Sequence, residues 1–342
     1  MHIPAFLLRN PPTWLITPLL FGLLAGCSPV YKTTGDILVN YGRSEMTPYL
    51  LQQNDLGMAC ATGEAMTPFL VSFETVGASP ARIAVLTNSM AALCGQQRAL
   101  EQELRYLRAV RRGRSDEARD SRILQKRFSA QAGARLYESW QRTRSQYPEI
   151  RNGKCPRLRT DFDEMVYLVG LVSGVQALVY DTVADNKLGL PRNIPALAAE
   201  SAGCLDNDKW WGTPMAIQLT VWAILPMLAP DDIDPWPRLR QADKLGRQHG
   251  VRLSSALYTM AAYSVGNGEE LERAVHGFPQ PVDELDPDYQ MLNAISRFTL
   301  QTISDRIWTE ETGSRTPYAA LGTLPQDEQT ASPEDIEDLL RY

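Results

Sequence analysis

Cysteine is the residue type whose placement in this chain points most directly to chemistry. Cys27 closes the string Leu24-Ala25-Gly26-Cys27, the bacterial lipobox pattern. Two small residues before the thiol let an extended chain enter a peptidase cleft, and the sulfur accepts diacylglycerol. Upstream, Arg9 supplies a positive n-region and Trp14–Leu24 an apolar run that falls short of the roughly 20 residues needed to span a bilayer. Thr17 and Pro18 interrupt it further. Residues 1–26 are therefore expected to be a lipoprotein signal peptide, with Cys27 as the lipidated first residue. Ser28 stands where an inner-membrane retention signal would carry aspartate, so the expected location is the periplasmic face of the outer membrane of a Gram-negative bacterium.

With Cys27 acylated, Cys60, Cys94, Cys155 and Cys204 remain, an even set for an oxidising compartment. Four cysteines allow three connectivities. The turn-like string Val76–Pro80 separates two helical patterns, and Cys60 and Cys94 each lie 17 residues from Gly77. Positions equidistant from the turn of an antiparallel helix pair face each other. Spacing thus pairs Cys60 with Cys94, and elimination pairs Cys155 with Cys204. Free buried thiols are the competing reading. A metal site is disfavoured, because no CxxC spacing occurs and the chain beyond residue 26 holds just two histidines, His249 and His276.

Catalytic signatures are missing: there is no GxSxG, HExxH, Walker A or GxGxxG string. His249 and His276 both adjoin glycine at expected helix ends, which favours capping over catalysis. The acidic clusters Asp161, Asp163, Glu164 and Asp231, Asp232, Asp234 fit helix N-termini, where negative charge complements the dipole. Asp206, Asn207 and Asp208 are weak calcium candidates, lacking the glycine and distal glutamate of an EF-hand. Glu64 sits among small and apolar residues and must find a partner. The expected one is an arginine of the 105–127 segment, and the alternative is a role lining a cavity. Trp140, Trp210, Trp211, Trp222 and Trp236 fit helix-packing core, with an apolar groove as the alternative. The expectation is no catalytic residue, no metal and no cofactor.

These residues need elements to position them, and the pattern is helical throughout. Residues 27–45 read as a tether. Pro48–Phe73 reads as a helix kinked near Pro68. Ile83, Leu86, Met90, Leu93, Leu100, Leu104 and Leu107 recur at spacings of three and four, with Gln97 in the missing slot, and mark a helix after Pro80. Ser115 or Asp116 starts the next helix, which runs to about Gln146. "MVYLVGLVSGVQALVY", within 161–185, reads as a buried helix, although its valines also fit a buried strand. Gly170, Ser173 and Gly174 in that run allow close helix approach or leave room for a ligand. Further helices are expected over 193–204, 213–228, 238–249, 254–265, 268–276 and 288–307. Residues 312–342 read as a mobile polar tail whose last ten residues could form an acidic helix. The predicted fold is all-α: antiparallel helical hairpins in a tetratricopeptide-like α-solenoid or bundle over 46–311, without a strict 34-residue repeat.

The formal net charge of −6 over 342 residues argues against a nucleic-acid partner. Charge is nevertheless segregated. Residues 98–159 hold 17 Lys/Arg against 7 Asp/Glu, whereas residues 160–342 hold 13 against 28. Either the two regions neutralise each other inside the fold, or a basic surface meets an anionic partner.

The lipobox, "DLGMACATGEAMTPFLVSF" (55–73), Cys94, "ALEQELRYLRA" (99–109) and "EARDSRILQKR" (117–127) together resemble the T-component lipoproteins of TRAP transporters, the TatT family. The similarity is concentrated in residues 27–147. It implies tetratricopeptide-like hairpins and a homo-oligomer, plausibly a trimer. It also implies docking to the periplasmic solute-binding P component and transfer of a hydrophobic or organic-acid solute. It transfers no individual binding residue. The expected function is a non-enzymatic, membrane-anchored helical scaffold assisting TRAP-type uptake. The alternatives are an envelope-assembly lipoprotein without a solute and, more remotely, a hydrolase using His249 or His276.

Overall fold

A computed structural model describes residues 27–279, 281 and 284–330, so the signal-peptide reading of residues 1–26 and the acidic helix expected near the C-terminus lie outside the described residues. Among the described residues the fold is all-α, with no strand. In chain order the helices are α1 (Cys27–Tyr41), α2 (Thr47–Leu51), α3 (Leu56–Ser72), α4 (Ala81–Arg111), α5 (Ser115–Gln146), α6 (Asp161–Val183) and α7 (Ile194–Ala202). They continue with α8 (Thr213–Ile224), α9 (Pro235–Gln248), α10 (Leu253–Val265), α11 (Gly268–His276), α12 (Gln290–Thr312) and α13 (Pro325–Thr330).

Local signals account for most boundaries. Asp55 caps α3 by accepting from Met58 N at 3.0 Å, and its extended backbone separates α2 from α3 where the sequence pattern ran on unbroken. Thr160 caps α6 through Asp163 N, Asp234 caps α9 through Trp236 N, and Asn267 caps α11 through Glu270 N. Gly77 turns the chain between α3 and α4 with φ +85°, a left-handed conformation that glycine adopts without a Cβ clash. The α5 start differs in detail from expectation: Ser115 is its first helical residue and makes no side-chain cap, while Asp116 and Glu117 complement the first turn.

The two longest helices, α4 and α5, form the central hairpin, with α3 laid on α4 and α6 on α5. At Gly63 a Cβ would come within 2.2 Å of Ala91 N, so α3 approaches the α4 backbone as closely as a glycine permits. The Cys60–Cys94 disulfide joins α3 to α4 with Cα atoms 5.2 Å apart. Cys155–Cys204 ties the loop before α6 to the turn after α7, Cα atoms 5.3 Å apart. Both are the pairs reached from spacing and elimination. The main core runs from Val85 and Trp140 through Tyr167, Leu171 and Ile194 to Trp210, Leu239 and Tyr258.

α8 packs on α9 and α10, and α10 on α12; α12 then returns to α2, α3 and α4. That return encloses a space between the two halves of the chain.

Two expectations about the ends need correction. The expected tether is helical from Cys27 to Tyr41 and continues through a π-helical turn, Gly42–Met46. Gly35 lies so close to Phe73 and Ala78 that a Cβ would meet them at 2.8–2.9 Å. The tail is not free from residue 312. Leu324 is buried, Trp308 Nε1 donates to Thr323 O at 3.3 Å, and Ser304 Oγ and Thr316 Oγ1 are 2.7 Å apart. Tertiary contacts override the polar, proline-containing local composition at both places.

Candidate functional site

α6 is long and apolar enough to cross a membrane by length and composition, yet most of it is buried within the fold. Its two faces explain that composition. Val166, Leu171 and Leu178 belong to the core, while Val169, Val172, Gln176, Val179 and Tyr180 face a cavity of about 420 Å³. Such a volume is ordinary for a small-molecule site. α2 contributes Leu50 and Leu51, α4 contributes Leu86, Met90 and Leu93, α10 contributes Met260, and α12 contributes Met291, Ile295 and Phe298. Met46, Met90, Met165, Met260 and Met291, five of the ten methionines in the chain, line this space. Unbranched thioether side chains repack readily, so the wall can adapt to its contents.

Charged groups are concentrated at one end. Glu103 of α4 and Arg306 of α12 are the two charged side chains on the wall among the described residues. Arg306 donates from Nε at 2.9 Å and from Nη2 at 2.8 Å to the same oxygen, Glu103 Oε2. Burial pulls the Arg306 guanidinium down, and Glu103 more than offsets it, so the net shift is upward and the cation is firmly held. Burial pushes the Tyr180 phenol up to about 12 and also raises Tyr263, both within electrostatic range of the pair. Gln96 Nε2 donates to Gln176 Oε1 at 3.2 Å beside them. A small chamber of about 10 Å³ continues past the pair, lined among others by Gln125 and Ser129.

The residues singled out in the sequence fall elsewhere. Glu64 forms an ion pair with Arg135 Nη1 at 2.7 Å, eight positions beyond the expected segment, and Arg135 also donates to Ala91 O at 2.6 Å. Trp140, Trp210 and Trp211 are core residues, and no tryptophan among the described residues lines the cavity. Gly170 and Gly174 admit Thr143 and the Trp140 ring, so they serve helix approach. Asp161 and Glu164 bind Lys209 Nζ, each at 2.8 Å, and Asp163 binds Arg82 Nη1 at 2.8 Å. Asp206 and Asn207 accept backbone N–H groups from Lys209 and Met215, which commits them to the turn before α8. His249 ends α9, 3.8 Å from Asp208, and His276 ends α11 with Nε2 2.9 Å from Asp327 Oδ2.

The segregated charges meet at Lys126–Asp185, 2.6 Å, and Arg111 Nη1 donates to the main-chain carbonyl of Glu310 at 3.2 Å. Arg111, Arg112, Arg114, Arg119 and Arg127, around the α4–α5 turn, remain exposed to solvent. Sequence reasoning missed Glu103, Tyr180, Tyr263 and Arg306. The signal available was a charged residue interrupting each of two apolar stripes, at Glu103 in α4 and Arg306 in α12. No protein family, curated protein or solved structure matches this chain, so the site rests on its own geometry.

Proposed function

We propose that this chain is a lipid-anchored periplasmic binding protein that assists a TRAP-type solute uptake system. It holds an apolar solute in the cavity between α4, α6 and α12 and docks the solute-binding P component. The observation that carries the reading is the cavity itself. A core of this size would ordinarily close-pack, whereas here a methionine-rich wall surrounds about 420 Å³ with its two charged side chains, Glu103 and Arg306, at one end. The exposed arginines around the α4–α5 turn offer a docking face whose attraction fades with salt.

Two experiments test it. The purified protein is expected to co-elute with the P component of a TRAP system encoded beside it, more weakly at high salt. No co-elution, with or without added solute, would overturn the docking role. Separately, Cys27→Ala is expected to abolish acylation and move the protein from the membrane fraction to the soluble fraction. If that variant stays membrane-bound, the anchor assignment is wrong.

A further inference from the structure

We propose that the solute is a single-chain amphiphile with an uncharged polar head group, and that the Glu103–Arg306 pair with Tyr180 forms the head-group site. The inference rests on the cavity being a binding site, as proposed above, and adds the class of ligand it selects.

Polarity along the wall sets the orientation. The middle of the cavity is bounded by Met90, Val172, Met260, Ile295 and Phe298, which offer a hydrocarbon chain dispersion contacts and no hydrogen bonds. The polar end gathers Glu103, Tyr180 and Arg306, and these three also line the small chamber behind it. Ser129 lines that chamber too. It is 1% exposed and its Oγ has no hydrogen-bond partner within the protein. Buried hydroxyls are normally bonded, so this end of the cavity has hydrogen-bonding capacity that the protein itself does not use.

Charge at that end selects the head. Arg306 spends two N–H groups on one oxygen of Glu103, and the pair is neutral overall. A carboxylate head placed beside it is attracted by Arg306 and repelled by Glu103, and it loses its hydration for no net compensation. An ammonium head meets the mirror-image balance. The Tyr180 and Tyr263 phenols are neutral at pH 8 as ordinary phenols are, and burial raises them further. A hydroxyl or a primary amide both donates and accepts, so it can bond Glu103 and Tyr180 without bringing a charge out of water. Fatty alcohols and primary fatty amides are the chemistry that fits.

The test is displacement of the neutral fluorophore N-phenyl-1-naphthylamine from the full mature protein at pH 8, where dodecanoate is ionised. The competitors are 1-dodecanol, dodecanoate and dodecylammonium, matched in chain length. 1-Dodecanol is expected to displace the dye with an apparent Kd at least tenfold below that of either ion. In Glu103→Gln, which frees Arg306, the affinity of dodecanoate relative to 1-dodecanol is expected to rise at least tenfold. Tyr180→Phe gives a second route should Glu103→Gln fold poorly, and it is expected to weaken 1-dodecanol without helping dodecanoate. If dodecanoate binds wild type as tightly as 1-dodecanol, the neutral-head inference is wrong while the cavity reading stands. If neither the dye nor any dodecyl probe binds, the binding reading falls and takes the inference with it.

Discussion

Replacing Glu103 by leucine is expected to cost about 3 kcal/mol of folding stability, and adding Arg306→Met to that variant is expected to restore most of it. The reasoning follows from what each partner would leave behind. Arg306 sits deep in the fold, where burial alone disfavours its charge, and Glu103 is what holds it. Removing one member of such a pair strands the other, which typically costs roughly 3–5 kcal/mol. The side chains are 23% and 19% accessible, through the cavity, so the lower end of that range applies. Removing both charges and keeping comparable volume leaves an apolar wall continuous with Val179, Val183 and Ile303, and such replacements are often neutral. Urea unfolding of wild type, both single variants and the double variant reads this directly. A double variant less stable than Glu103→Leu would show that the pair contributes net stability and is not retained for ligand selection. The double variant should also bind 1-dodecanol more weakly than wild type, because the hydroxyl loses Glu103 as its acceptor, which separates the binding role from the folding role.

How far the sequence was legible depended on the range over which each feature is built. The α3–α4 hairpin was readable because its determinants are local: one turn glycine, two helical stripes and two cysteines at equal distances from Gly77. The cavity was not, because its wall is assembled from segments as far apart as Met46 and Arg306. An apolar side chain facing a cavity has the same sequence signature as one facing the core. α6 shows this best, since the core residue Leu171 and the cavity residue Val172 stand side by side and look alike in sequence. The Glu103–Arg306 pair spans 203 positions, so neither residue's local context identifies its partner. Errors at the ends have the same origin. Composition alone predicts a tether and a tail, whereas packing of Gly35 on Phe73 and burial of Leu324 are long-range events. Glu64 was correctly expected to need a cation, but helix geometry selected Arg135 over the arginines nearer the α4–α5 turn.

The two disulfides are expected to differ in what their removal does to binding, although they should cost similar stability. Chain-entropy arguments give roughly 4 kcal/mol for closing loops of 34 and 49 residues, an upper figure for either bridge. Their positions are not equivalent. α3 is fixed to α4 by the Cys60–Cys94 bridge, the close approach of Gly63 to Ala91, a 2.8 Å hydrogen bond from Thr67 to Thr87 and a small cluster of Ala59, Leu93 and Met291, and its outer residues Met58 and Phe69 are exposed. Loss of the bridge should therefore loosen α3 and, with it, α2, whose Leu50 and Leu51 form part of the cavity wall. In Cys60→Ala/Cys94→Ala, amide exchange should rise over residues 47–72, and dye affinity should fall at least fivefold under conditions where the protein remains folded. Cys155–Cys204 instead anchors the loop before α6 to the turn after α7, and none of the residues near it lines the cavity. Cys155→Ala/Cys204→Ala should lower the unfolding midpoint comparably while leaving dye affinity within twofold of wild type. Equal loss of affinity in both double variants, at matched folded fraction, would mean that α2 and α3 do not shape the cavity and that ligand access is controlled elsewhere in the fold.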